Sequence, residues 1–252
     1  MNLDWDRIDH VTKVDPAESV PRDLSILQGT DLVMVGGSDD VTAENTLRAV
    51  ERVREATDAP VWQEPYHPSH VSSDTVEAVD HLSIPAVYNG DSEHFFEKHL
   101  DLFTEVGSRP EETLGTSLPV VGGLIADRGR EVVANLAERI VGEGYVIQNL
   151  DSKAARVSGV ETTYSTEQVA GAALATESFY GFPVFYVEYS GTYGGPADVE
   201  AAARYLDETV LLYGGGIDSA ERTREILDAG ADAVVVGDCF HDDPERFRAT
   251  IP

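Results

Sequence analysis

Residues 209–238 read TVLLYGGGIDSAERTREILDAGADAVVVGD, and this stretch decides the fold. Two apolar runs, 209–215 and 232–238, close on Gly214-Gly215 and on Gly237-Asp238. Between them an amphipathic helical pattern stops at Gly230. Such a strand, helix and strand, with both strands almost unbroken in Val and Leu or Ala, is a βαβ unit whose strands are buried on both faces. The same alternation extends toward the amino terminus, with strand patterns at 10–15, 31–37, 60–64, 81–87, 145–149 and 183–189. Eight strands with helical crossovers predict an α/β protein of the (β/α)8 TIM-barrel class. An open doubly wound sheet fits the same periodicity, because periodicity does not register closure.

The helices have matching signals. TAENTLRAVERVREAT begins with a Thr cap and keeps Leu47, Val50 and Val53 on one face. SEHFFEKHLDLF has Ser92 as its expected cap and Phe95, Phe96, His99, Leu100 and Phe103 at helical spacing, which reads as core or as the wall of an apolar channel. PADVEAAARYLDE carries Pro in its first turn. Two stretches depart from the repeat. Residues 65–79 support only a short helix after strand three, whereas 107–143 read as an added loop and a long helical stretch ending in ANLAERIVGEG. No linker composition divides the chain, so residues 1–252 are expected to form a single domain.

Composition narrows the function. Lys and Arg total 18 against 46 Asp and Glu, a net charge of −28. A field of that sign opposes nucleic-acid phosphates and anionic membranes, so no nucleic-acid partner is expected. Only three of the basic residues are lysines: Lys13, Lys98 and Lys153. Spread acidity with so little lysine reads as adaptation to high salt, with an ordinary acidic cytosolic protein as the alternative. The single cysteine, Cys239, excludes an intramolecular disulfide and reads as a packing residue. No apolar run approaches the ~20 residues of a membrane span. The start, MNLDWDRIDH, lacks the segments of a signal peptide, so a soluble, cytoplasmic protein is expected.

Active sites of β/α barrels gather at the carboxyl ends of the strands. Those ends hold Lys13 and Asp15, then Gly36-Gly37-Ser38-Asp39, then Asn149 and Asp151. Further on come Glu188, Ser190 and Gly191, then Gly214-Gly215-Gly216, then Gly237-Asp238. The late glycines suit phosphate, because backbone N–H groups can converge on an anion where no side chain intervenes. Lys13 and Asp15 share one strand face, either as a structural ion pair or as a cation beside a metal-capable carboxylate. Asp15 with Ser38 offers the oxygen donors that Mg²⁺ accepts alongside water and substrate phosphate. The HPSH segment at 67–70 is a poorer metal candidate, since Pro68 breaks the helical spacing of its histidines.

Taken together, KVDP, GGSDDVT, FYVEYSG, YGGGI and VVVGD, in this order, resemble the geranylgeranylglyceryl phosphate synthase family, whose bacterial relatives make heptaprenylglyceryl phosphate. The similarity runs from about His10 to Phe240, and the acidity points to a haloarchaeal member. The resemblance implies a modified TIM barrel, with the helix after strand three weak or missing, and a homodimer. It implies transfer of a geranylgeranyl group from its diphosphate to the terminal hydroxyl of sn-glycerol-1-phosphate, with Mg²⁺ as cofactor. It also implies glycerol phosphate contacts at Lys13, at Tyr186, Val187, Glu188, Tyr189, Ser190 and Gly191, and at Gly216, Gly237 and Asp238. Asp15 and Ser38 match the Mg²⁺ positions, and Phe103 matches the position that sets the depth of the prenyl tunnel. Relatives can carry Asn at the position of Asp238, where a carboxylate would repel phosphate, so its backbone N–H is the expected contact. Glu188, set in an apolar strand, is the candidate general base, with simple orientation of the glycerol as the alternative. Another phosphate-handling barrel enzyme, of isomerase or indole-glycerol-phosphate type, and a non-catalytic phosphate-binding barrel are the rival readings.

Overall fold

A computed structural model describes residues 5–108, 134 and 136–252. Its strands are β1 (His10–Val14), β2 (Leu32–Val35), β3 (Val61–Gln63), β4 (His81–Val87), β5 (Ile140–Ile147), β6 (Val184–Glu188), β7 (Val210–Gly214) and β8 (Ala233–Val236). All neighbours pair in parallel, and β8 returns to β1 through His10 opposite Val234 and Val11 opposite Val235, so the sheet closes in chain order. The barrel expectation holds and the open sheet does not.

Closure sorts side chains by the twofold period of a strand. Val11, Met34, Trp62, Tyr145, Tyr186, Leu212 and Val235 pack together inside the barrel. Val14, Val33, Val35, Val146, Phe185, Val187 and Val234 pack with the helical layer instead. The helices of that layer begin with α1 (Ala43–Arg54), capped by Thr42 through a reciprocal bond with Asn45. After β3 comes a short 3-10 turn and α2 (Ser73–Ala78), six residues only, which is the weak helix expected there. Then follow α3 (Lys98–Ser108), α4 (Lys153–Val157), α5 (Thr166–Ala175), α6 (Ala197–Ala203), α7 (Ala220–Asp228), α8 (Asp238–Asp242) and α9 (Pro244–Arg248).

Two expectations need correction. The strand expected at 145–149 starts five residues earlier, at Ile140: IVGEG continues the sheet rather than ending a helix. Gly142 and Gly144 obscured the strand pattern. They are small because ring atoms of Phe182 and the hydroxyls of Thr176 and Tyr88 occupy the space of a side chain. The rest of the helical stretch expected over 107–143 lies largely outside the described residues. The second correction concerns the aromatic stripe. Residues Glu93–Glu97 form a π-helical turn, and Asp91, not Ser92, caps it by accepting from the His94 amide. The wider turn rotates the register, so Lys98 and Leu102 face inward while Phe96, Leu100 and Phe103 are exposed.

At the amino-terminal end of the barrel, His10 is fully buried and contacts Thr30 Oγ1 at 3.1 Å and Thr250 Oγ1 at 3.0 Å, joining the two ends of the chain. Burial lowers its pKa from 6.5 to about 4. The unfolded chain then binds more protons between these values, so the stability present above about pH 6.5 is lost as pH falls toward 4. Urea unfolding at pH 7 and pH 5 should therefore show a larger loss for the native chain than for His10→Asn. An equal loss in the two would remove His10 as the titrating group.

Candidate active site

Side chains from β1, β5 and β6, with residues just past β3, meet at the carboxyl end of the barrel in a cavity of about 350 Å³. Lys13 projects from β1 into its floor. Glu64, the first residue beyond β3, forms an ion pair with the Lys13 ammonium. On β5 and β6, Tyr145 lies opposite Tyr186 in register, with ring centroids 4.7 Å apart. Ile147 opposes Glu188, which ends β6. The reading of Glu188 as a charged residue within an apolar strand is correct in placement: it is 8% exposed and lines the cavity.

The local electrostatics follow from burial. Glu188 receives a hydrogen bond from Tyr145 Oη at 3.1 Å and another from the Ser190 amide. Desolvation outweighs hydrogen bonding from Tyr186 and the Ser190 amide, and the Lys13 charge, and raises its pKa above the ordinary glutamate value. Burial acts against the Lys13 ammonium too, but the charge and hydrogen bond of Glu64, helped by Glu143 and Glu188, outweigh it and raise the pKa. Tyr145 and Tyr186 are pushed well above the usual phenol range, first by burial and then by the charge of Glu188, so both stay protonated as donors.

One wall of the cavity is glycine. Gly191, Gly215, Gly216 and Gly237 all line it. Gly216 has φ of +61°, and a Cβ there would stand 2.5 Å from the Tyr193 backbone nitrogen, so position 216 excludes other residues on both grounds. Asn149, two residues beyond β5, donates to the Ser190 carbonyl at 2.7 Å and fixes the Ser190–Gly191 turn. Asp238 sits at the rim. Desolvation there, then the charges of Glu18 and Asp242, raise its pKa.

Asp15 and Ser38 lie together on another side. Gly37 makes this possible: a Cβ at that position would fall 2.5 Å from the Asp15 carboxyl carbon. Asp15 Oδ1 accepts from the Ala17 amide at 2.9 Å, and burial raises its pKa. Six carboxylates line the cavity (Asp15, Glu18, Glu64, Asp151, Glu188 and Asp238) against two lysines, Lys13 and Lys153. That donor set suits a hard cation held by one carboxylate, a hydroxyl and water. Among the described residues, no group of three or more His, Cys, Asp or Glu is arranged to hold a metal by itself.

The cavity thus gathers Lys13, Asp15, Ser38, Tyr186, Glu188, Ser190, Gly191, Gly216, Gly237 and Asp238 from the sequence-based set. Val187 and Tyr189 depart from it. Their side chains pack against the helical layer, and the Tyr189 hydroxyl donates to Asp198 at 2.7 Å. Phe103 stands on the surface of α3, 46% exposed, rather than facing inward. His67 and His70 lie outside the cavity, with the His70 pKa lowered to about 4 chiefly by burial. Cys239 is a buried thiol raised to about 12 by burial, in keeping with a packing role. Sequence reasoning passed over Glu64, Tyr66, Tyr145 and His241, which also line the cavity. Glu64 ends an apolar run as Glu188 does, and that was the available signal. Tyr145 lay in the strand whose start was misread.

Comparison with known proteins bears on the whole chain. Residues 3–251 match the model of the PcrB family. The chain is 32% identical over 256 residues to the geranylgeranylglyceryl phosphate synthase of Methanoculleus marisnigri, covering all of this chain and 98% of that protein. It is 33% identical over 257 residues to the heptaprenylglyceryl phosphate synthase of Lysinibacillus sphaericus, covering 99% and 96%. Its fold superposes with a TM-score of 0.70, at 20% identity and covering 97% and 92% of the two chains, on (S)-3-O-geranylgeranylglyceryl phosphate synthase from Thermoplasma acidophilum, solved in complex with its substrate sn-glycerol-1-phosphate. With a strand order, a cavity and a full-length match that all agree, the chain belongs to the PcrB family.

Proposed function

We propose that this protein is a prenyltransferase that joins geranylgeranyl diphosphate to the terminal hydroxyl of sn-glycerol-1-phosphate and releases diphosphate, a step of membrane lipid synthesis. The observation that carries this reading is one cavity in which a buried carboxylate, Glu188, stands near a lysine and a glycine wall fit for phosphate. Membership of the PcrB family, and relatives named for this chemistry, support it.

In this reading the phosphate of sn-glycerol-1-phosphate lies along Gly216 and Gly237, with the Lys13 ammonium at the floor. The glycerol hydroxyl then reaches Glu188. The carboxylate accepts the hydroxyl proton as the oxygen bonds to the allylic carbon of the prenyl chain, and the carbon–oxygen bond to diphosphate breaks with its electron pair on the leaving group. Tyr145 and the Ser190 amide hold the carboxylate in orientation. The raised pKa of Glu188 strengthens it as a base while leaving it dependent on pH. Asp15 and Ser38 would hold Mg²⁺, which neutralises negative charge on a leaving diphosphate. The reading includes a homodimer as the assembly.

The prenyl chain needs apolar surface, at ~0.8 kcal/mol for each buried CH₂. Phe96 in the π turn, with Leu100 and Phe103 on α3, offers an exposed apolar stripe. In this reading Phe103 limits the chain to twenty carbons.

Incubation with labelled sn-glycerol-1-phosphate, geranylgeranyl diphosphate and Mg²⁺ in high salt should move label into the organic phase. No transfer by a folded protein refutes the assignment. Glu188→Gln should lower kcat by about 10²–10⁴, the usual span for a positioned base. The native acid limb of kcat should lie above pH 4.5, the ordinary glutamate value, and should be missing from the residual activity of the variant. Near-native turnover in Glu188→Gln would leave the residue a merely orienting role. Phe103→Ala should shift product toward longer prenyl chains, and an unchanged chain-length profile counts against that placement.

A further inference from the structure

Two acids, Glu64 lining the cavity and Glu143 outside its lining, have no part in the chemistry above. Glu64 is 1% exposed at its side chain and pairs with Lys13 through Oε2. Glu143, on β5, is fully buried, and its Oε2 accepts from Ser83 Oγ at 3.1 Å. The remaining oxygen of each, Glu64 Oε1 and Glu143 Oε1, is buried without a hydrogen-bond partner. A dry interior does not hold two such anions beside one ammonium, and a proton on Glu143 removes one of the charges. The pKa of Glu143 is raised well above the usual carboxyl range, by burial and then by the Glu64 charge.

Glu64 itself is rigidly carried. Its amide donates to the Val35 carbonyl at 2.9 Å. A Cβ at Gly36 would stand 2.2 Å from the Glu64 carbonyl oxygen, so the end of β2 lies directly on this backbone. Lys13 has a flexible four-carbon stem. Among the described residues, Glu64 is the one carboxylate at ion-pair distance from it. The Lys13 side chain keeps 18% exposure. An ammonium has three donors, so a bond to Glu64 leaves others for a ligand in the cavity.

We propose that Glu64 is a positioning residue of the anion site: through its ion pair it holds the Lys13 ammonium at the cavity floor. This inference rests on the reading of the cavity as a glycerol phosphate site. Glu64→Gln should raise KM for sn-glycerol-1-phosphate about tenfold, the scale of one hydrogen bond to a charged group, with KM for geranylgeranyl diphosphate changed less than about twofold. Glu64→Asp, which keeps the charge, should recover most of the loss. If Glu64→Gln does not fold, Glu64→Asp should still show a smaller rise confined to the same KM. Lys13→Met should weaken glycerol phosphate binding by itself, and adding Glu64→Gln should then cost little more, because Glu64 acts through Lys13. Equal rises in both KM values, or losses that multiply in the double variant, overturn the proposal. Calorimetric titration with sn-glycerol-1-phosphate asks the same question without turnover. Native protein that binds but makes no ether refutes the transferase reading alone, and native protein that does not bind refutes both.

Discussion

A closed barrel gives every strand the same interior, and whatever enters it must be apolar, paired or uncharged. Val11, Met34, Trp62, Leu212 and Val235 satisfy this with hydrocarbon, sulfur or an aromatic ring. Toward the carboxyl end the chain instead presents Lys13, Glu64, Glu143 and Glu188, all in or under one small cavity. Ion pairing answers the cost for Lys13 and Glu64, whereas a raised proton affinity answers it for Glu143 and Glu188. The desolvation that opposes the Glu188 charge also makes its carboxylate a stronger base, so in the proposed reading the cost of burying the charge and its use have one cause.

The same constraint bears on how an anion enters so acidic a protein. A net charge of −28 repels phosphate at long range, and the cavity carries six carboxylates of its own. Glycine at Gly191, Gly215, Gly216 and Gly237 removes side chains from one wall, so an anion there meets backbone dipoles rather than another carboxylate. On the opposite side, Gly37 gives Asp15 the room to sit against the chain with Ser38 nearby. Backbone donors on the glycine wall can do the work that a basic protein would assign to arginine.

How much of this was legible depended on whether a residue announced itself locally. Strand ends such as YGGG and VVVGD carry their glycines in sequence, so the glycine wall could be read directly. The α1 cap and the short α2 were legible for the same reason. The start of β5 was not, because Gly142 and Gly144 are small for reasons of packing against residues far along the chain. Glu143 and Tyr145 were hidden with it. The aromatic stripe failed differently: its spacing was helical, but a π turn at Glu93–Glu97 rotated it to the surface and put Lys98 inside, over the Tyr66 ring at 4.8 Å. Which strand residues face the cavity was decided by the twofold period, and it separates Tyr186 and Glu188 from Val187 even though the three are contiguous.

The scarcity of lysine has a practical side. Lys13 is locked to Glu64 and Lys98 is 6% exposed with its pKa lowered to about 8 by burial. Lys153 has a half-exposed side chain paired with Glu18, and it borders the cavity. An amine-directed reagent therefore meets, apart from any terminal amine, one readily reached side chain, and that side chain stands at the mouth of the cavity. A dye or crosslinker can be attached beside the cavity of this protein without engineering a cysteine.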